Sequence, residues 1–192
     1  MSRPGPIGLL RDAWWAASAP SAFFYALQAA PQPRLGRAAL AALAAGAVAA
    51  GVGALAFVRA TDSDGFILAW GLLSAIGLPY LAMMVFLGGL VMVRPGQLDL
   101  RAWEIAAWSW VPAGVLGVSL LPAALVVPGP AAALGLAAFP IWHLTLVMRG
   151  VRAFAPHRVA LLLALYVLAV YGVPALLTGV SYALMQALRG AA

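Results

Sequence analysis

The charged residues divide this chain into long apolar intervals. Between Arg37 and Arg59 lie 21 uncharged residues, between Asp64 and Arg94 lie 29, between Glu104 and Arg149 lie 44, and between Arg158 and Arg189 lie 30. A helix crosses the hydrocarbon of a bilayer with about 20 predominantly apolar residues, so three of these intervals each predict one span. The interval of 44 holds two spans and a turn. Pro128-Gly129-Pro130 lies inside it, and two prolines flanking a glycine cannot continue a helix. Five spans follow, at about 38–58, 66–93, 103–127, 131–148 and 159–187.

A further uncharged interval, from Ala13 to Pro33, is 21 residues long but contains Ser18, Pro20, Ser21, Gln28 and Pro31. We read it as an interfacial segment and not as a span. Ile7, Leu10 and Trp14 fall at helical spacing, and Trp14, Trp15, Phe23 and Phe24, with Tyr25, are of the aromatic kind that anchors at the headgroup level. Residues 1–35 are therefore expected to form an N-terminal amphipathic cytoplasmic segment, and residues 36–192 the membrane domain. The apolar run Ile7–Leu10 is too short for the core of a secretory signal, so the N-terminus is expected to be retained.

Charge then orients the spans. With the N-terminus inside, the inner segments carry nine arginines (Arg3, Arg11, Arg34, Arg37, Arg94, Arg101, Arg149, Arg152 and Arg158) against two outside, Arg59 and Arg189. The excess of arginine on inner loops predicts an N-inside, C-outside topology. The net charge of +6 comes from these arginines alone, and they sit beside apolar segments, which places them at lipid headgroups and not on a nucleic-acid backbone. A composition 65% hydrophobic and 8% charged excludes an ordinary soluble domain, where roughly a quarter of residues carry charge. The expectation is an all-α polytopic bundle. The lack of lysine, with abundant alanine and glycine, points to a GC-rich bacterial genome and so to the cytoplasmic membrane. With no cysteine, disulfides and thiol chemistry are excluded.

Little chemistry is visible inside the spans. Ala42, Gly46 and Ala50 lie four apart on one face, a spacing that lets helices approach closely, either across a homo-oligomer seam or within one bundle. Pro79, Pro112, Pro122, Pro140 and Pro174 predict kinks, which in transporters build midplane substrate sites and elsewhere simply shape the bundle. His143 is the one ionisable candidate within a span. It precedes Arg149 by six residues, about 9 Å at the helical rise, which reads as a headgroup-level histidine and not a proton relay. The hydroxyls Ser74, Ser109, Ser119, Thr145, Thr178 and Ser181 look scattered, and His143 and His157 lack an acidic third ligand for a metal. Asp62 and Asp64 are expected to cap the second span, Asp99 the third, with Leu98 and Trp103 as a hydrophobic staple, and Glu104 to pair with Arg101 or another inner arginine. An EF-hand reading of Asp62-Ser63-Asp64-Gly65 lacks its later ligands. No enzyme, cofactor or metal is expected.

The stretch Ile141-Trp142-His143-Leu144-Thr145-Leu146-Val147-Met148-Arg149-Gly150-Val151-Arg152, followed by Phe154, His157, Arg158 and Ala160, resembles the late part of the Yip1 domain in bacterial members of that family. There a tryptophan near the end of the fourth span leads to a glycine-containing inner loop and the fifth span. Pro20-Ser21-Ala22-Phe23-Phe24 is similar to that family's proline-aromatic segment ahead of the first span. The resemblance covers about residues 15–180 and implies five spans, but it carries over no catalytic or ligand residues. The Asp-Leu-x-Gly-Pro and Gly-Tyr-Gly signatures of the eukaryotic relatives, which associate with Rab GTPases, are absent from this chain.

The function expected is that of a non-catalytic membrane adaptor or organiser. Its candidate inner patch of Arg149, Arg152, His157 and Arg158 would recruit an anionic lipid or a cytoplasmic protein. The alternative is a small permease or lipid-handling protein built on proline-kinked helices.

Overall fold

The computed structural model describes residues 5–62, 64–93 and 100–190. Two short helices, α1 (Pro6–Ser18) and α2 (Pro20–Ala29), precede α3 (Leu35–Thr61) and α4 (Phe66–Met92). Then come α5 (Arg101–Trp108), α6 (Val111–Val126) and α7 (Pro128–Phe154), a 3-10 turn (Pro156–Arg158), α8 (Val159–Val167), a π turn (Leu168–Gly172) and α9 (Val173–Gly190). Five segments among the described residues are long and apolar enough to cross a membrane: Leu35–Thr61, Phe66–Met92, Arg101–Val126, Pro128–Phe154 and Pro156–Ala183. Their outward surface is apolar, with Ile67, Ile76, Ile141 and Leu176 all more than 65% exposed. Such a surface requires lipid, not water, as its solvent. Among the described residues the fold is all-helical, and its five apolar helices are those of a membrane-embedded protein.

The spans fall where the apolar intervals place them, but their ends differ for physical reasons. Pro128-Gly129-Pro130 does not form the turn itself. The break is at Val127 (φ −134°, ψ 69°), and Pro128 opens α7, where a missing N–H has no intrahelical partner to lose. The same helix continues to Phe154 and carries Arg149 and Arg152 within it. Asp62 does not cap α4. It takes a left-handed conformation (φ 51°), its N–H bonds to the Val58 carbonyl to close α3, and Thr61 Oγ1 donates back to the Phe57 carbonyl at 2.9 Å. Gly65 precedes α4 with no side-chain cap. The expected cap at Asp99 and its staple partner Leu98 lie outside the described residues. Pro174 follows the π turn Leu168–Gly172, whose wider pitch is closed by the Val173 N–H bonding to the Leu168 carbonyl.

Ala13–Pro33 is not one long helix, because Ala19 (φ −136°) separates α1 from α2 ahead of Pro20. Both helices are fastened to the bundle. Asp12 is buried and pairs with Arg37 at 3.0 Å. Arg101 donates to the carbonyls of Leu27, Gln28 and Ala30, at 2.6, 2.8 and 2.5 Å, and so binds the C-terminal end of α2, where helical carbonyls run out of intrahelical partners. Glu104 accepts the backbone N–H of Arg34 at 3.1 Å. The core sits at this arginine-rich end. Phe23 meets Trp108 edge to face at 5.0 Å, and Phe24, Leu27, Ile105 and Val147 close around them.

α3 lies at the centre, against α4 on one side and α6 on the other. Its small-residue face is used inside the monomer. Gly46 lies under Leu81 and Leu78 of α4, and Ala45 abuts Gly114 of α6 so closely that a Cβ added at Gly114 would stand 2.8 Å from the Ala45 Cα. We expect Gly114→Leu to lower stability in detergent by about 2 kcal/mol through overpacking. Gly129→Ala, with nothing within 4 Å of the added carbon, should leave the thermal midpoint unchanged. Thermal unfolding of the two purified variants checks both.

Candidate functional site

His143 does not sit among headgroups. It faces inward from the middle of α7, is fully buried, and is the hub of a polar cluster drawn from three spans. Its Nδ1 lies 2.8 Å from the Tyr171 hydroxyl, and its Nε2 lies 2.9 Å from Ser109 Oγ and 2.8 Å from the Tyr166 hydroxyl. Ser109 Oγ donates to the Ala106 carbonyl at 2.7 Å and stands 3.4 Å from Tyr166. Ser109 occupies the turn between α5 and α6, Tyr166 the end of α8 and Tyr171 the π turn. The helix breaks thus place hydroxyls at one depth around one imidazole. Trp110 and Phe139 enclose the ring, at centroid distances of 4.6 and 5.1 Å. Gly88 of α4 leaves the space that the Tyr166 ring fills.

Hydroxyls that look scattered in sequence are therefore partly convergent. A usable signal was present. Counted from the flanking arginines, Ser109 is eight residues past Arg101, His143 six before Arg149 and Tyr166 eight past Arg158. These offsets put all three between about 9 and 12 Å from their arginines. Tyr171 carried no such signal, because its approach depends on the π turn.

The spacing of Ser109 Oγ and His143 Nε2 is that of a nucleophile and its base. Both residues are sealed, however, and the serine hydrogen is directed at Ala106, so no face of the pair is open to a carbonyl substrate. Tyr171 is the cluster member that reaches an opening. It contributes to the wall of a cavity of about 580 Å³ between α3, α6 and α7, lined also by Trp110, Phe139, Pro140, Ala56, Ala113 and Gly135. Apart from that tyrosine and the tryptophan nitrogen, the wall carries no polar side chain.

The residues expected to act elsewhere separate into groups. Arg152, His157 and Arg158 are exposed at the arginine-rich end, on the last turns of α7 and on the 3-10 turn, and Arg149 is half-buried. Of the expected interfacial anchors, Trp14 is 66% exposed and shares that face with Ile7 and Leu10. Trp15 is half-buried against Phe23 at 5.5 Å. Phe23 and Phe24 are core residues instead, because α2 lies against α7 and turns both rings into the protein. His143 and His157 are not brought together, and no group of three or more His, Cys, Asp or Glu able to hold a metal occurs among the described residues. No protein-family model, curated protein or solved structure matches the chain.

If the cluster is a single hydrogen-bonded unit, His143→Leu should cost about 3 kcal/mol, since two buried hydroxyls and a part-buried one lose a partner. In a background already carrying Ser109→Ala, Tyr166→Phe and Tyr171→Phe, the same change should cost at least about 1 kcal/mol less. Thermal or denaturant unfolding of the four proteins measures the coupling, and simple additivity would refute it.

Proposed function

We propose that this chain is a small lipid-handling membrane protein that binds an apolar molecule of the bilayer in the cavity between α3, α6 and α7. The observation that carries the proposal is the cavity. Its volume of about 580 Å³ falls within the roughly 300–1,000 Å³ of small-molecule sites, and small residues on three facing helices create it. Its apolar wall suits a hydrocarbon body and offers nothing to a hydrated ion or sugar. Coupled transport also finds little support, because the charged side chains lie at the ends of the spans and not inside them.

A photoreactive fatty-acyl lipid incorporated into membranes should label residues of this wall, and Ala113→Phe, which fills the cavity from α6, should reduce that labelling several-fold. Peptide mapping of the labelled protein gives the answer. Labelling spread evenly over the lipid-facing surface and indifferent to Ala113→Phe would reject the proposal.

The adaptor reading has one observation in its favour. At the arginine-rich end Arg11, Arg34, Arg152 and Arg158 are exposed, whereas the described acids there, Asp12 and Glu104, are 2% and 1% exposed and turned inward. That face therefore presents positive charge with its acids withdrawn, which suits an anionic lipid headgroup or an acidic protein segment. The N-inside topology, the bacterial cytoplasmic membrane and membership of the Yip1 domain family belong to this reading as proposals. They are supported by the arginine bias, the composition and the Trp142–Arg158 stretch respectively. Changing Arg149, Arg152 and Arg158 together to Gln should leave the unfolding midpoint in place and lower the share of anionic lipid retained in mixed-lipid nanodiscs. An unchanged share would exclude these arginines as a lipid site.

A further inference from the structure

The hydrogens of the buried cluster can be assigned one by one. A serine hydroxyl has a single hydrogen, and Ser109 directs it at the Ala106 carbonyl 2.7 Å away. Towards His143 Nε2, at 2.9 Å, Ser109 can then only accept, so Nε2 carries the ring hydrogen. Tyr166, 2.8 Å from the same nitrogen, accepts a share of that N–H and turns its own hydrogen toward Ser109 at 3.4 Å. In a neutral imidazole the other nitrogen is then a bare acceptor. Nδ1 faces the Tyr171 hydroxyl at 2.8 Å, so Tyr171 spends its one hydrogen on the histidine. Its oxygen keeps a lone pair, and it is the member of the cluster that contributes to the cavity wall. A lone pair at the edge of an apolar cavity calls for a donor, since a polar group withheld from water is stabilised only by a partner.

We propose that the cavity takes a long-chain alcohol, whose hydroxyl donates to the Tyr171 oxygen while its hydrocarbon chain lies along the small-residue walls of α3, α6 and α7. His143 is a positioning residue in this arrangement. It holds the Tyr171 hydrogen and thereby leaves the Tyr171 oxygen to favour a donor over a pure acceptor, such as an ether or ester oxygen. The proposal rests on the cavity being a lipid site and adds to it the chemical class of the ligand.

The test uses the full chain in membranes and two probes, a diazirine-bearing long-chain alcohol and the methyl ether of the same molecule, which keeps the acceptor oxygen and loses the donor. Both should label the cavity wall, the alcohol at about five- to tenfold lower concentration, as the loss of one hydrogen bond implies. Tyr171→Phe should abolish that preference while leaving ether labelling intact, and the retained ether labelling shows that the variant is folded. Equal labelling by the two probes in the unaltered protein, or an alcohol preference that survives Tyr171→Phe, overturns the alcohol assignment and leaves the lipid site standing. Failure of both probes to label the wall overturns the lipid site, and the alcohol assignment with it.

Discussion

A polar side chain inside a bilayer has no water to return to, so its hydrogen bonds must close within the protein or remain unmade. His143 is the point where this constraint governs the fold. The imidazole presents a nitrogen to either side, and three hydroxyls from two other spans answer it. Ser109, Tyr166 and Tyr171 each stand at or beside a break in regular helix, and in each case the break turns a hydroxyl toward one ring. The third, fourth and fifth spans are therefore held in mutual register by direction-specific bonds. Apolar contacts between helices surrounded by equally apolar lipid tails supply register much more weakly.

At the arginine-rich end a second set of polar contacts works differently. Arg101 reaches the last carbonyls of α2 with its guanidinium and lies over the Phe154 ring at 5.9 Å, while Asp12 and Arg37 join α1 to α3. Charge-assisted bonds of this kind are worth more than neutral ones, about 1.5–3 kcal/mol each where water is excluded. They fasten the N-terminal helices so that Phe23 and Phe24 replace lipid in the core. The withdrawal of Asp12 and Glu104 into this fastening has a consequence for the surface. The cations around them are left to define the charge of that face.

The five spans were legible because all but one of the boundaries between them carry arginine or aspartate, and the cost of placing such charges in hydrocarbon is large enough to fix helix ends to within a few residues, while the remaining boundary, between the third and fourth spans, is marked by Pro128-Gly129-Pro130. Phe66–Met92 against an expected 66–93 is the clearest case. The polar cluster was only half legible. Depth alone would have aligned Ser109, His143 and Tyr166, but that all three face one another depends on the rotation of each helix, and a sequence nearly uniform in Ala, Leu and Val carries little rotational information. The mean apolar character of α4 and α8 is high all round, so no stripe marks an inward face. Phe23 and Phe24 show the opposite limit. Aromatic type suits headgroup and core equally well, and the choice was made by Arg101, distant in sequence, which draws α2 onto the bundle.

The same small residues that bring α3 and α6 together also explain why the cavity exists and why it is filled. Where Ala45 meets Gly114 the backbones touch. Elsewhere along these helices, small residues such as Gly53, Ala56, Ala113 and Gly135 are among those lining a cavity of about 580 Å³. The cavity is not a sealed void but opens outward. Hydrocarbon chains surround the protein at high concentration and fill such a space by default. Selectivity for one molecule over bulk lipid must come from the polar side-chain atoms of the wall, the Trp110 nitrogen and the Tyr171 oxygen. Of these the tyrosine oxygen, backed by His143, is the one that asks for a donor, while the apolar neighbours offer the ligand only the dispersion contacts that the membrane already supplies.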